Sequence, residues 1–220
     1  MHEQRVRPYS QYLFVKEGKP YWRLAVLTEE AFEHILRPIM RKDSLCLEQK
    51  GYEVGLGDFH MVKQDSFQGL EERFWTGTDK VHHIDMEFLT SASFKKNGEY
   101  MIFPELPLVL NSLIRKWNAY SDSMVLEEER LGDRLAESMC ITDYRLHTHP
   151  FSVEGRRIRA FRGNIRLGLF KDDITRRMAS MLAAFADYAG IGIKTAMGMG
   201  AVHSDIALSL IHISEPTRPY

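Results

Sequence analysis

Cysteine is nearly missing from this chain: its 220 residues include two, Cys46 and Cys140, far apart and outside any C-x-x-C spacing. That excludes a disulfide framework and a cysteine-built zinc site. Long apolar runs are missing as well, and no segment approaches the roughly 20 apolar residues of a membrane-spanning helix. No basic-then-apolar leader opens the chain, so a cytoplasmic protein without membrane contact is the expectation. Nor does one sign of charge dominate. The 29 Lys and Arg against 30 Asp and Glu leave a net charge of −1, which excludes a uniformly basic nucleic-acid binder. With 44% apolar residues, a chain of this length suits one large domain or two small ones.

What is present is unevenly placed. Between Tyr144 and Phe170 stand Arg145, Arg156, Arg157, Arg159, Arg162 and Arg166, opposed only by Glu154. A charge run is usually a solvated face, but arginine in place of lysine suits bidentate phosphate contact. Near the C-terminal end, Gly190, Gly192, Gly198 and Gly200 punctuate an apolar run that also holds Lys194 and Thr195. Such a run allows positive φ and close backbone approach, and successive N–H groups in it can make a concave anion site. A Walker A loop is excluded because Lys194 follows Ile193 rather than glycine. The order helix, loop, strand also excludes a dinucleotide-binding turn. Two readings stand: a polyanion site, or a helix C-cap at Gly190 leading into a packed turn.

Periodicity predicts strands at Tyr9–Val15 and Tyr21–Leu27, then a helix capped by Thr28, then strands at Ser44–Gln49, Tyr52–Val54 and Phe59–Lys63. The polar run Gln64–Lys80 reads as a linker. A second unit follows: a strand over His82–Leu89, a helix over Leu106–Tyr120, and strands over Met139–Thr148 and Ile158–Phe170. A helix capped by Asp172 or Asp173 and a strand over Met199–Ile206 complete it. Its order, β-α-β-β-α-β, is ferredoxin-like. The first unit shows the same pattern without its opening β-α. The fold class expected is therefore α+β, two tandem ferredoxin-like (RRM-like) domains. Residues 1–80 form an incomplete first domain with linker, 81–207 the second, and 208–220 a tail that is either similar to translated sequencing adapter or a genuine disordered end. The aromatic signature of an RRM is absent.

Histidine placement adds little by itself. His147 and His149 share one strand face near the arginines, while His82 and His83 point to opposite faces, which argues against a metal pair. Arg115, Lys116 and Lys194 read equally as RNA contacts or as ordinary surface charges.

The stretch from Tyr188 to Gly200, with Phe88-Leu89-Thr90-Ser91, Phe103-Pro104, Leu113 to Asn118, Phe161-Arg162-Gly163 and Tyr21-Trp22-Arg23-Leu24, resembles the CRISPR-associated repeat-processing endoribonucleases. These are the Cas-six type members of the repeat-associated mystery protein superfamily. The resemblance implies two ferredoxin-like domains and cleavage of precursor CRISPR RNA within repeats, with neither metal nor cofactor. The 2′-hydroxyl would attack the adjacent phosphate, leaving a 2′,3′-cyclic phosphate and a 5′-hydroxyl. It also implies that His2, in the context Met1-His2-Glu3, is the acid/base and that Arg7 takes the place of a basic partner that is usually lysine. RNA contacts are expected at Arg156, Arg157, Arg159, Arg162, Gly190, Gly192, Lys194, Thr195, Gly198 and Gly200. CRISPR repeat RNA is the implied partner, with effector-complex subunits or a homodimer as further associations. The alternative is a non-catalytic RNA-binding subunit on the same fold.

Overall fold

The computed structural model describes residues 6–48, 50–77, 81–153, 155–170 and 172–208. Near the N-terminus, β1 (Tyr9–Lys16) and β2 (Lys19–Val26) pair antiparallel, from Tyr9 opposite Val26 to Lys16 opposite Lys19. Glu17 and Gly18 close the turn at φ 52° and 75°, as a tight hairpin requires. Thr28 then accepts a hydrogen bond from the Ala31 N–H (3.1 Å) and starts α1 (Glu29–Ala31). A π turn over Phe32–Leu36 separates α1 from α2 (Arg37–Met40). Pro38 has no N–H for the regular ladder, which gives the π turn a local cause. The strands β3 (Ser44–Leu47) and β4 (Tyr52–Gly55) pair only with each other.

Two expectations fail in the next stretch. Phe59–Lys63 forms no strand: it has no ladder partner, and Met61 and Val62 are 70% and 75% exposed. The supposed linker contains α3 (Phe67–Thr76), capped by the Ser66 hydroxyl, which accepts from the Gly69 N–H at 2.9 Å. Leu70 and Phe74, one turn apart, are buried in the main core.

Alternation then builds the central strand. In β5 (Val81–Ala92), Ile84, Met86 and Phe88 are buried while His82 and Glu87 face solvent. A small hairpin, β6 (Phe94–Lys96) and β7 (Glu99–Met101), leads to α4 (Leu106–Tyr120) and to a short helix absent from the sequence reading, α5 (Leu131–Ala136). Next come β8 (Met139–Thr148), β9 (Phe151–Val153), β10 (Arg156–Ile158) and β11 (Phe161–Leu169). The single strand expected over Ile158–Phe170 is thus two. The chain leaves the β10 ladder after Ile158, and the Ala160 carbonyl accepts from the His149 N–H at 2.8 Å. Helix α6 (Asp173–Ala189) starts where Asp172 accepts from Thr175, and β12 (Val202–Leu208) closes the unit.

The four long strands form one antiparallel sheet in the order β12-β5-β11-β8. Counted within the unit, that is 4-1-3-2, the order a β-α-β-β-α-β chain produces when each helix returns the chain to one face. Both long helices contribute the core with the sheet. Trp117 of α4 lies edge-on to Phe185 of α6 at 5.2 Å, and Phe88 meets Phe161 at 4.9 Å. Burial of side chains of this size contributes about 1.5–3 kcal/mol each. On the strands' solvent side stand Asp85, Glu87, Arg162, Asn164 and Arg166, all polar. This face lacks the stacked aromatics with which an RRM reads RNA. Among the described residues, no helix is long and apolar enough to cross a membrane.

Candidate functional site

Helix α6 ends at Gly190, whose φ of 64° turns the chain into the glycine run. The run is stitched into its surroundings. Ile191 N–H donates to Gly200 O (2.8 Å), Gly200 N–H to Ser91 O (2.9 Å), and Ile193 N–H to Ser93 O (3.0 Å). Gly192 N–H donates to Ser112 Oγ (2.9 Å), and Gly190 and Gly198 bond within the local turns. All four glycine N–H groups are therefore taken, and they do not form the open anion cradle that the sequence suggested. The glycines serve close approach instead. A Cβ on Gly200 would lie 1.9 Å from the Ile191 carbonyl oxygen, and one on Gly192 2.3 Å from that of Ser93. Facing outward is Lys194, exposed and held in the left-handed region at φ 54°. Thr195 is buried.

Beneath the run lies the largest departure from the sequence reading. Lys116 is not a surface charge: it is 4% exposed. Its ammonium donates to the carbonyls of Ala189 and Gly190 (2.8 Å each) and to Thr195 Oγ1 (3.1 Å). One side chain of α4 thus ties the end of α6 to the far arm of the loop. Burial pushes its pKa down to about 7, with a smaller push from Arg115. The carbonyls at a helix C-terminus favour the cation in return.

The arginine-rich segment meets the glycine run through a second small core. Ile158 and Ala160 are buried against Met199, with Phe151, Val153 and Ile193 around them. The β9–β10 hairpin is thereby fixed beside the loop, and Arg156, Arg157, Arg159 and Arg162 are all exposed. Arg159 pairs with Glu99 at 3.1 Å in full solvent, a contact worth at most about 1 kcal/mol. Among the described residues, Arg156, Arg157 and Arg162 have no ion-pair partner. Arg166 is different. It grips Asp85 with two bonds of 2.7 and 2.8 Å, which holds the Asp85 carboxyl below its usual range.

On the other side, β1 runs along the loop. Ser10 Oγ donates to the Tyr188 carbonyl (2.5 Å) and Gln11 Nε2 to that of Ala196 (2.7 Å). Arg7 is exposed, and the four residues from it to Gln11 span at most about 14 Å. His2 lies outside the described residues. His149, which the sequence places with His147 near the arginines, has a contact that spacing does not show. Its Nδ1 lies 2.7 Å from the hydroxyl of Ser91, whose carbonyl holds Gly200. Its ring lies 6.1 Å from that of His147. The loop is also anchored at its roots. Asp187, nearly buried in the last turn of α6, accepts from Ser204 N–H (2.8 Å) and meets Lys63 Nζ (3.0 Å) and His203 Nδ1 (3.2 Å). Among the described residues, no three His, Cys, Asp or Glu side chains converge as metal ligands.

A profile of the family described as CRISPR-associated endoribonuclease Cas6 matches residues 86–202, more than half of the chain. The chain belongs to this family. The Cas6 endoribonuclease of Streptococcus thermophilus is 28% identical over 212 residues, covering 92% of this chain and 82% of its own length. That of Mycobacterium tuberculosis is 28% identical over 210 residues, and this chain spans 64% of it. In fold, the chain matches a Cas6 product complex with TM-score 0.76 at 22% identity, over 93% of this chain and 84% of the other. It matches Thermus thermophilus Cas6 with TM-score 0.68 at 22% identity, over 92% and 81%. The span of the family profile holds α4, α6, the glycine run and part of the sheet.

Proposed function

We propose that this chain cuts precursor CRISPR RNA within its repeats without a metal ion, by attack of the 2′-hydroxyl on the adjacent phosphate. The products are a 2′,3′-cyclic phosphate and a 5′-hydroxyl. The observation that carries the reading is the junction of the glycine run with the β9–β10 hairpin. There Met199 packs on Ile158 and Ala160, which ties the run that carries exposed Lys194 to the segment that carries exposed Arg156, Arg157 and Arg162. Four exposed cations on two segments packed together suit an RNA backbone. Gly190, Gly192, Gly198 and Gly200 give the run its shape, and Thr195 fixes it through Lys116. The reaction needs a proton acceptor for the 2′-oxygen and a donor for the leaving 5′-oxygen, and histidine does both near neutral pH. His2 takes that role, and Arg7 stabilises the charge on the phosphorane. Residues 1–80 act as the partner domain of residues 81–207. Their hairpin and helix correspond to the second half of a ferredoxin-like unit.

The test uses a labelled repeat RNA in excess chelator. Cleavage is expected to continue with EDTA present, and the upstream fragment should carry a cyclic phosphate. His2→Ala should slow it by roughly a hundredfold to ten-thousandfold. Loss of cutting with EDTA, or full activity in His2→Ala, removes this chemistry. Binding without cutting would support the non-catalytic alternative instead. Replacing Arg156, Arg157 and Arg162 together by alanine should weaken all RNA probes alike. It should also reduce the slope of log affinity against log salt by about 0.7–0.9 for each phosphate no longer neutralised. An unchanged slope removes the arginines from the interface.

A further inference from the structure

Cross-strand partners in a β-ribbon share a face, and successive residues alternate between faces. In β1–β2 this rule sorts the side chains into two unlike surfaces. One carries Leu13 with Trp22 and Val15 with Pro20, and is apolar. The other carries Tyr12 opposite Arg23, Phe14 opposite Tyr21, and Lys16 opposite Lys19. The second surface is a column of three rings set between cations, with no carboxylate in it. Phe14 and Tyr21 lie 5.3 Å apart and nearly parallel, at 17°. Tyr12 follows at 5.6 Å, with the Arg23 guanidinium 5.9 Å from its ring centre. The distal halves of both strands are exposed, and Phe14 and Tyr21 keep 39% and 41% of their surface in water. Among the described residues, Lys16 and Lys19 have no ion-pair partner.

We propose that this column is a stacking surface for unpaired RNA bases, holding a single-stranded flank of the transcript bound at the glycine loop. The inference rests on the RNA reading above and extends it to a class of RNA structure. Flat rings interleaved with cations are what a single strand needs: each base offers a π face and each linkage a negative charge. The column also leads away from the loop. Ser10 lies on the same ribbon face and holds the Tyr188 carbonyl at the loop's root, about 14 Å of extended chain from Phe14. A second copy of the chain is a poor occupant. A two-fold contact across this face would set Lys16, Lys19 and Arg23 against the same cations of the partner.

The experiment measures binding of the whole chain to two synthetic repeat RNAs, one a hairpin with unpaired flanks and one trimmed to the paired stem. The variants are F14T/Y21T and F14L/Y21L; the second keeps apolar bulk and removes the ring faces. Both should bind the flanked RNA roughly tenfold or more weakly than the parent does, since stacking on an aromatic ring accounts for about that much per base. Both should bind the trimmed RNA as the parent does, with an unchanged salt slope. Equal affinity of parent and F14L/Y21L for the flanked RNA overturns the stacking surface, while the RNA reading stands. An equal loss on both RNAs overturns it too, because the rings would then act through the fold. A parent that binds neither RNA overturns the RNA reading and this inference together. A parent dimer in sedimentation that F14L/Y21L leaves intact and F14T/Y21T dissociates, with RNA affinity unmoved, assigns the face to a second copy.

Discussion

Alanine at Gly200 is expected to displace the loop and to destabilise the protein by about 3 kcal/mol or more. Two costs coincide there. The backbone sits at φ 66°, where a Cβ costs about 1–2 kcal/mol. That Cβ would also lie 1.9 Å from the Ile191 carbonyl oxygen, which is backbone and cannot rotate away. Relief requires breaking the bonds from Ile191 N–H to Gly200 O or from Gly200 N–H to Ser91 O. Gly198 is the internal control. Its φ is 98°, but the nearest atoms to a Cβ there are 3.9 and 4.0 Å away, so alanine carries the conformational cost alone. Urea denaturation of both variants should therefore rank Gly200→Ala well below Gly198→Ala, which should lose about 1–2 kcal/mol. The reverse order would mean that the loop is not packed as described.

Lys116→Met should be nearly as damaging, with a signature in pH. Methionine fills similar space but leaves the carbonyls of Ala189 and Gly190 and the Thr195 hydroxyl without their donor. Each buried group left unpaired costs about 1–3 kcal/mol. The pH dependence follows from the lowered pKa. Below about pH 7 the lysine is protonated in folded and unfolded chains alike, and its burial cost is fully present. Between about 7 and the ordinary value of 10.5, the unfolded chain holds more protons than the folded one, so stability rises with pH. Urea midpoints taken from pH 6 to 10 should show this rise in the parent and lose it in Lys116→Met. Parallel profiles would place the ammonium in solvent.

The second unit was readable because its elements are long and periodic. Ile84, Met86 and Phe88 alternate over a whole strand, and α4 and α6 each carry an unbroken apolar stripe. The same stripe held the signal for Lys116. It stands three residues after Leu113 and next to Trp117, inside the buried face, where a lysine requires carbonyl partners. Composition hid α3: Gln68, Gly69, Glu71, Glu72 and Arg73 interrupt its apolar residues, and the spacing of Leu70 and Phe74 behind Ser66 is what marks a helix. Phe59–Lys63 failed in the opposite direction, since local β propensity forms no strand without a partner edge. Within the site, the arginines and Lys194 expected at the RNA are exposed, while the glycine N–H groups turn inward, which spacing does not show. They end on Ser91, Ser112 and other distant or local partners, and such pairings are written in the tertiary structure alone. The contact of Ser91 with His149 is of the same kind.

Arg156 and Arg157 of the β9–β10 hairpin and Arg162 at the start of β11, unpaired among the described residues, have a consequence for approach as well as for contact. A chain of net charge −1 has almost no pull on a distant polyanion as a whole. With Arg166 neutralised by Asp85 on the adjoining sheet face, exposed Arg156, Arg157 and Arg162 make a local positive patch on a nearly neutral chain. What such a patch contributes is local attraction rather than the pull of a net charge. An incoming polyanion that meets this side of the molecule is held and turned toward it before close contact forms. Attraction of this kind belongs to the association rate, and it fades once the Debye length falls below the size of the hairpin, at about 8 Å in physiological salt.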